Sequence, residues 1–200
     1  MNPLVYIYAD ESCLGNNRQR GTPGGAAGLI AYWTGTRWER RDYWVSEPST
    51  TNNRMAIRSA IEGLRALKRP SRVVFTSDSE YLVKGMQSWV HGWVAKGWKR
   101  KTGPVENVEL WQELVRAAAP HEVEWRWVRG HAGHPENEYV NDLAIRAARG
   151  QTASGGLVPS GFEAWLAEQR EKYERYFDYY EFAPPADEPF RPAPKVRVSN

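Results

Sequence analysis

The 200-residue sequence has little cysteine and no long apolar run. Cys13 is the only cysteine, so the chain cannot form an internal disulfide, which favours a reducing compartment. No segment approaches the roughly 20 consecutive apolar residues of a membrane-spanning helix, and the mean hydropathy is −0.68. The first residues lack the basic and apolar regions of a secretory signal. These absences together predict a cytoplasmic protein.

Positive charge is in small excess, with a formal net charge of +3, and it is unevenly distributed along the chain. Residues 1–150 carry 21 Lys or Arg against 16 Asp or Glu, whereas residues 151–200, which we call the C-terminal extension, carry 6 against 8. A basic region favours a polyanionic partner such as a nucleic acid, although solubility alone also explains so small an excess.

The hydrophobic pattern of residues 1–150 predicts one α/β domain. Strands are predicted at 4–9, 25–33, 36–45, 72–78 and 122–128. Helices are predicted at 52–68, in short pieces between 79 and 101, at 106–119, and in a last segment ending near 149. This order is typical of a five-stranded mixed sheet flanked by helices.

The C-terminal extension is predicted to have three parts. Residues 151–161 are small, polar and Gly-rich, as in a linker. Residues 162–182 have an amphipathic helical pattern rich in aromatic residues. We expect that helix to pack on the core or on a second subunit, with a partner-binding segment as the less favoured alternative. Residues 183–200 are Pro-rich and are expected to be extended or disordered.

Two acidic residues follow predicted strands. Asp10 comes after the first strand and Asp78 after the fourth. The carboxyl ends of strands form the rim at which open α/β folds place ligands. Each residue alone has a structural alternative, because Asp is common in turns, and Asp78 could cap the helix that begins near Ser79.

Six segments resemble those of type 1 ribonuclease H, the bacterial ribonuclease HI, in the same order and spacing over residues 4–149. They are DESCLGN (10–16), TTNNRM (50–55), TSDSEYLVKG (76–85), WVHGWVAKGWK (89–99), PVENVELW (104–111) and WVRGHAGHPENE (127–138). The resemblance implies the ribonuclease H-like fold and hydrolysis of the RNA strand of RNA–DNA hybrids without sequence preference, leaving 5′-phosphate ends. It also implies two Mg²⁺ or Mn²⁺ ions held by carboxylates.

Several alternatives stay open at this point. The protein could be a catalytically silent module that binds RNA–DNA hybrids, or a DNA-cutting relative on the same fold. The second is disfavoured by the TTNNRM segment and by the basic residues between 84 and 101. A monomer is expected, with self-association through the C-terminal extension also open.

The sequence departs from the family's four-carboxylate site at two positions. Ala56 stands where the first helix usually supplies Glu, and Asn141 where the last helix supplies Asp. Glu11 next to Asp10 resembles the Asp-Glu pair of type 2 ribonucleases H, so we predict that Glu11 replaces the missing helix carboxylate. Successive strand side chains point to opposite faces, so the alternative is a solvated Glu11 and a crippled site. Asn141 is predicted to bind metal through its amide oxygen, more weakly than Asp would.

The resemblance also implies roles around these acids. His131 matches a His that assists proton transfer or product departure, which completes a catalytic set with the four metal ligands. Positions near the RNA strand are Cys13, Asn16, Asn53 and Glu80, and those near DNA phosphates or grooves are Thr51, Asn52 and Asn107. A basic, aromatic protrusion that grips the DNA strand would contain Lys84, Trp89, Trp93, Lys96, Trp98, Lys99, Arg100 and Lys101. For one or two of these Trp residues, packing within the protrusion is the favoured alternative.

Overall fold

The computed structural model describes residues 2–15, 21–185 and 189–196. Its strands are β1 (Leu4–Cys13), β2 (Thr22–Trp33), β3 (Trp38–Thr50), β4 (Arg72–Ser77), β5 (Lys99–Arg100), β6 (Gly103–Pro104), β7 (Glu122–Trp127) and β8 (Val158–Pro159). The main sheet has the order β7-β4-β1-β2-β3-β8, and β5 and β6 form a separate ribbon. β1 is parallel to β4, and β4 to β7, while the other pairs of the main sheet are antiparallel.

The predicted α/β class with a mixed sheet is confirmed, but the predicted number of five strands is wrong. The sixth strand of the main sheet, β8, lies in the segment expected to be a linker. Val158 pairs with Asp42, and Pro159 with Arg41, on the free edge of β3. A two-residue strand has no hydrophobic alternation of its own, so the sequence pattern did not indicate it.

The helices of the described residues are α1 (Asn52–Arg65), α2 (Glu80–Lys84), α3 (Val90–Ala95), α4 (Val108–Ala118), α5 (Pro135–Gly150) and α6 (Phe162–Tyr173). A π-helical turn, Gly85–Trp89, joins α2 to α3. Helical structure therefore continues through Gly85. Gly85 instead permits close packing, because a Cβ there would lie 2.1 Å from the ring of Trp111. Among the described residues, no helix is long and apolar enough to cross a membrane.

The two faces of the sheet are covered by different helices. Val5, Ile7 and Ala9 of β1 belong to the main core, which also contains the apolar faces of α1 and α4. The alternate residues Tyr6 and Tyr8 belong to the opposite side. There, α5 and α6 pack together in a cluster formed by Leu29, Tyr139, Val140, Phe162, Trp165 and Leu166. The C-terminal extension thus contributes to the second core of the same domain.

The helix expected over residues 162–182 is shorter in the structure and ends at Tyr173. Glu174 and Tyr176 have φ values of 52° and 61°, a left-handed conformation that ends a helix and reverses the chain. Arg170 then donates hydrogen bonds to the carbonyl oxygens of Tyr176 and Tyr179. The reversed segment packs Tyr176 and Tyr179 back on α6, whereas its other aromatic residues, Phe177, Tyr180 and Phe182, are exposed.

Residues 189–196, within the predicted Pro-rich tail, lie along β7 without forming a helix or strand. The amide of Ala193 donates to the carbonyl of Val123 at 2.9 Å, and that of Arg191 to Glu124 Oε2 at 2.6 Å. These contacts satisfy part of the free edge of β7.

Candidate active site

Asp10, Glu11 and Asp78 come together just beyond the end of β4. The pairing of β1 with β4 ends at Ala9 and Ser77, whereas its pairing with β2 continues to Cys13. One side of β1 is therefore unpaired at Asp10 and Glu11, and Asp78 follows β4 into this space. One carboxylate oxygen from each of the three residues lies within 4.8 Å of the other two.

Glu11 reaches this cluster from a different side of β1 than Asp10 does. By strand alternation it shares a face with Ile7 and Ala9, which pack in the same core cluster as Ala56 of α1. Glu11 Oε2 is fully buried and has no hydrogen-bond partner among the described residues. This burial disfavours the alternative of a solvated Glu11.

The three carboxyl groups disfavour one another's ionised forms. Burial, followed by the charge of Asp78, raises the pKa of Asp10 to about 8, although the Glu11 amide donates to Asp10 Oδ1 at 2.7 Å. Burial and the charges of Asp10 and Asp78 raise the pKa of Glu11 well above its usual value. Burial also raises the pKa of Asp78. Clustered, desolvated carboxyl groups of this kind are typical of functional sites.

The donor set fits a divalent cation. Hard cations such as Mg²⁺ and Mn²⁺ prefer oxygen ligands, and Asp10, Glu11 and Asp78 supply carboxylate oxygens close enough to share one ion. A cation would offset the repulsion that raises these pKa values, and it would give the buried Glu11 Oε2 a partner. Metal binding would accordingly release protons.

Glu138 of α5 lies near the acids, and helix periodicity places Asn141 on the same side of that helix. The negative charge of Glu138 raises the pKa of both Asp10 and Asp78. Asn141, which is partly buried, follows three residues later, and residues three apart share a helix face. The sequence interpretation missed Glu138, although its spacing from Asn141 was a usable signal.

His131 lies in the loop before α5 and has a positive φ of 53°. Its Nδ1 is 3.6 Å from Glu138 Oε2, and its side chain is 73% exposed. The positive charge of His131 also lowers the pKa of Asp78. His131 is therefore near the acid cluster and open to solvent at the same time.

Asp78 is held by its neighbours and does not cap α2. Ser79 is the capping residue, since its hydroxyl accepts from the Leu82 amide at 3.3 Å. The indole Nε1 of Trp127 donates to the backbone carbonyl of Asp78 at 3.0 Å. The capping alternative for Asp78 is thus wrong, and its carboxyl group faces the acid cluster.

A polar pocket of about 580 Å³ lies beside the first turn of α1. It brings together Thr51, Asn52, Asn53 and Asn107, four of the predicted substrate positions. The Oδ1 atom of Asn52 is buried without a partner among the described residues. Arg54 also lines this pocket and donates to Asn107 Oδ1 at 3.4 Å. Amide groups beside a guanidinium suit a phosphate group.

The remaining predicted positions near the RNA strand have different surroundings. Cys13 is partly buried, and burial raises the pKa of its thiol to about 11, so the thiol stays protonated at neutral pH. Glu80 and Lys84 are exposed and form an ion pair with each other on α2. Asn16 lies outside the described residues.

The segment predicted to be a basic protrusion contains α3 and the β5–β6 ribbon. A chain of aromatic contacts with centroid distances between 5.2 and 6.5 Å joins Tyr81, Trp89, Trp93, Trp98 and Trp111. Trp93 and Trp98 are partly buried in that chain, whereas Trp89 is 38% exposed. The same segment carries four exposed basic residues, Lys96, Lys99, Arg100 and Lys101. Packing therefore accounts for Trp93 and Trp98, and Trp89 stays available to a ligand.

Comparisons with known proteins place this site in context. A family model described as RNase H matches residues 2–149. A ribonuclease H of Shewanella sp. (strain ANA-3) is 44% identical over 162 residues, covering 80% of this chain and 95% of the relative. A ribonuclease H of Caulobacter sp. (strain K31) is 45% identical, covering 79% of this chain and all of the relative.

A solved structure resembles almost the whole chain. It is that of LC9-RNase H1, described as a type 1 RNase H with the type 2 active-site motif. The two chains are 55% identical, with a TM-score of 0.90, and the match covers 99% of this chain and 95% of the other. The similarity therefore extends beyond the matched family span into the C-terminal extension.

Proposed function

The chain belongs to the RNase H family, and we propose that Asp10, Glu11, Asp78 and Asn141 form the metal-binding active site with which it works. It is an endonuclease that hydrolyses the RNA strand of RNA–DNA hybrids. The observation that carries the site assignment is the convergence of three carboxylates within 4.8 Å at the end of β4.

Each site residue has a proposed role. The carboxylates of Asp10, Glu11 and Asp78 and the amide oxygen of Asn141 would hold two Mg²⁺ or Mn²⁺ ions. When bound, such ions activate the attacking water and stabilise the leaving oxygen of a phosphodiester. Glu11 supplies the carboxylate that Ala56 does not. Four ligands with three negative charges favour weaker metal binding than four carboxylates would give.

His131 is proposed to move protons between the site and the solvent. Its exposed ring beside Glu138 can take up a proton from bulk water and release it near the acid cluster. An imidazole has one ring nitrogen that can accept a proton and another that can donate one, which suits this relay.

The hybrid is proposed to bind across two surfaces. Thr51, Asn52 and Asn107 would hold a phosphate of the DNA strand in their shared pocket, where Asn53 would contact the RNA strand, and the basic side chains around α3 would neutralise further phosphates. Contacts with phosphates and sugars carry no base information, so we expect cleavage without sequence preference. Cys13, Asn16, Glu80 and Lys84 remain proposed contacts with the hybrid because they match substrate positions of type 1 ribonuclease H.

We propose that the protein acts as a monomer. The aromatic residues of α6 that would be costly to expose, Phe162 and Trp165, are buried within the same chain. Tyr173, Phe177, Tyr180 and Phe182 are exposed, so self-association through the C-terminal extension stays the alternative. A cytoplasmic location remains a proposal that rests on the single thiol of Cys13.

The site assignment is tested by cleavage of an end-labelled RNA–DNA hybrid, with hybrid affinity measured in parallel. We expect Glu11→Gln and Asp78→Asn to lower kcat at least about 100-fold, with little change in the Kd for the hybrid. Glu62→Gln is a matched control, because Glu62 is a partly buried acid of α1 that pairs with Arg58 outside the cluster.

Two results would contradict the proposal. Wild-type cleavage by Glu11→Gln would remove Glu11 from the site. A wild-type protein that binds the hybrid tightly but does not cut it at any Mg²⁺ or Mn²⁺ concentration would support the silent binding module instead.

A further inference from the structure

Residues of the C-terminal extension hold the helix that carries Asn141. We propose that Gly161, Trp165 and Tyr179 are positioning residues, which fix the rotation of α5 so that Asn141 meets the acid cluster. This inference rests on the proposed role of Asn141 as a metal ligand. The matched family span ends at residue 149, so all three residues lie outside it.

The three anchors form one stripe along the first half of α5. Tyr179 donates its hydroxyl to Glu136 Oε1 at 2.6 Å, and the Trp165 indole Nε1 donates to Asp142 Oδ2 at 2.8 Å. Between them, the Tyr139 hydroxyl donates to Asp42 Oδ2 at 2.6 Å. The Gly161 amide lies 3.0 Å from both of these oxygen atoms. Tyr139 and Asp42 are almost fully buried.

The anchored stripe is adjacent to the face that points at the acids. Residues 136, 139 and 142 follow one another at intervals of three, and Glu138 and Asn141 form the next stripe. Neighbouring residues such as Asn141 and Asp142 are about 100° apart around the helix axis. The three held residues of α5 are Glu136, Tyr139 and Asp142. Each of them lies one or two positions in sequence from Glu138 or Asn141, the residues on the side of α5 that faces the acids.

The packing of α5 on the sheet fixes the distance between helix and sheet more than it fixes the rotation of α5 about its own axis. At Gly25 of β2, an added Cβ would lie 2.2 Å from the carbonyl oxygen of Ala144 and 2.5 Å from the amide of Ala148. This close approach sits in the second half of the helix. In the first half, apolar contacts such as that of Val140 with Leu29 are non-directional. Hydrogen bonds depend on angle as well as distance. The rotational constraint therefore comes from the bond of Tyr139 to Asp42 of β3 together with the bonds that the extension adds on either side of it.

Small rotations would matter for an amide ligand. A side-chain oxygen lies roughly 6 Å from the axis of an α-helix, so a rotation of about 10° moves it by roughly 1 Å. Displacements of that size can cost about 100-fold in rate. Asn141 carries no charge, so a cation attracts it less than it would a carboxylate. Its position must therefore be set by the protein.

The test uses the full-length double variant Trp165→Phe/Tyr179→Phe, which removes two anchoring hydrogen bonds and keeps aromatic rings in place. Mn²⁺ binding is measured by calorimetry without substrate, well below the unfolding temperature, and the Mg²⁺ dependence of kcat is measured alongside. We expect Mn²⁺ affinity to fall about 5- to 10-fold and the half-saturating Mg²⁺ concentration to rise equally, with the Kd for the hybrid unchanged. Unchanged Mn²⁺ affinity would overturn the proposal.

Lys195→Met is the matched control, because Lys195 Nζ donates to the carbonyl of Ala119 far from α5, at 3.1 Å. It should leave metal binding unchanged, and an equal fall in Mn²⁺ affinity would show a general effect of loosening the extension, against the proposal. Asn141→Ala distinguishes the proposed role of Asn141 as a metal ligand from its proposed positioning by the extension. If it weakens Mn²⁺ binding while the double variant does not, positioning alone fails. If it leaves Mn²⁺ binding unchanged, the ligand assignment fails as well.

Discussion

Gly130 leaves the space that the carboxyl group of Asp78 occupies. A Cβ on residue 130 would lie 2.3 Å from Asp78 Oδ2, a distance that forces one of the two groups to move. Gly130 is not among the residues with positive φ, so the backbone itself accepts Ala. The glycine is therefore needed for the position of the Asp78 carboxylate and not for the turn.

Replacing Gly130 with Ala should impair catalysis more than folding. We expect Gly130→Ala to lower kcat by about 10- to 100-fold, because a shift of about 1 Å in a reacting group costs that much. The unfolding temperature should change little. Gly133→Ala is the control, since Gly133 has a φ of 83° and no atom within 4 Å of an added Cβ. Gly133→Ala therefore tests backbone strain alone. If it lowers kcat as much as Gly130→Ala does, backbone strain in this loop explains both losses.

An exchange between positions 11 and 56 tests where the second carboxylate can come from. Both positions lie on the same side of the sheet. Glu11 shares a strand face with Ala9, two residues earlier, and Ala9 belongs to the same core cluster as Ala56. Glu11→Ala should lower kcat about 100-fold. Ala56→Glu alone should lower the unfolding temperature, since Ala56 is fully buried and a fourth acid would join the cluster.

The combined variant Glu11→Ala/Ala56→Glu should recover at least about tenfold of the lost kcat, since the carboxylate count is restored. Hybrid cleavage and thermal unfolding are the measurements. If the exchanged protein unfolds like the wild type yet is as inactive as Glu11→Ala, the two positions do not share one role.

The sheet and the main helices could be predicted from the sequence because their signals are local and periodic. The end of α6 could not, because Arg170 holds the carbonyls of Tyr176 and Tyr179 only after the chain has reversed. An aromatic residue that packs back on a helix continues the same amphipathic pattern as one within it. The role of Gly85 could not be predicted either, since its small size makes room for the ring of Trp111, a residue 26 positions away in the sequence.

The site residues near the end of the β1–β4 pairing could be predicted from the sequence. Those whose position depends on contacts with distant parts of the chain could not. Asp10 was expected just after the first strand but lies within β1, at the point where β1 stops pairing with β4, and Asp78 directly follows β4, so their proximity still follows from parallel pairing. Strand alternation argued against Glu11, and the convergence depends on β4 ending at Ser77 while β1 continues. Glu138 reaches the acids only because of how α5 is rotated on the sheet. Rotation is set by Trp165 and Tyr179, whose contacts span 23 and 43 residues of sequence.

Replacing Asn141 with Asp should strengthen metal binding. The variant adds a negative charge beside three carboxylates, so a divalent cation is attracted more strongly. We expect the half-saturating Mg²⁺ concentration in hybrid cleavage to fall several-fold. In EDTA the same variant should be less stable than the wild type, because the added charge is unopposed. No gain in metal affinity would count against Asn141 as a ligand.

Replacing Asp10 with Asn should change how stability depends on pH in the absence of metal. The pKa of Asp10 is raised from 3.8 to about 8, so between about pH 4 and 8 the folded protein keeps a proton that the unfolded chain has released. Stability must therefore fall as pH rises through this window, by at most about 1.4 kcal/mol per pH unit for one group. Asn removes this proton linkage, and its Oδ1 can still accept from the Glu11 amide.

The free energy of unfolding should be measured in EDTA from pH 4 to 9 for wild type, Asp10→Asn and Glu62→Gln. The advantage of Asp10→Asn over wild type should be small near pH 4, grow up to about pH 8 and then level off, while Glu62→Gln stays parallel to wild type. Saturating Mn²⁺ should reverse the order at pH 8, because only the wild type keeps its full set of carboxylate ligands. Parallel curves for wild type and Asp10→Asn would show that Asp10 ionises in the folded protein as it does in the unfolded chain, and the electrostatic account of the acid cluster would then be wrong.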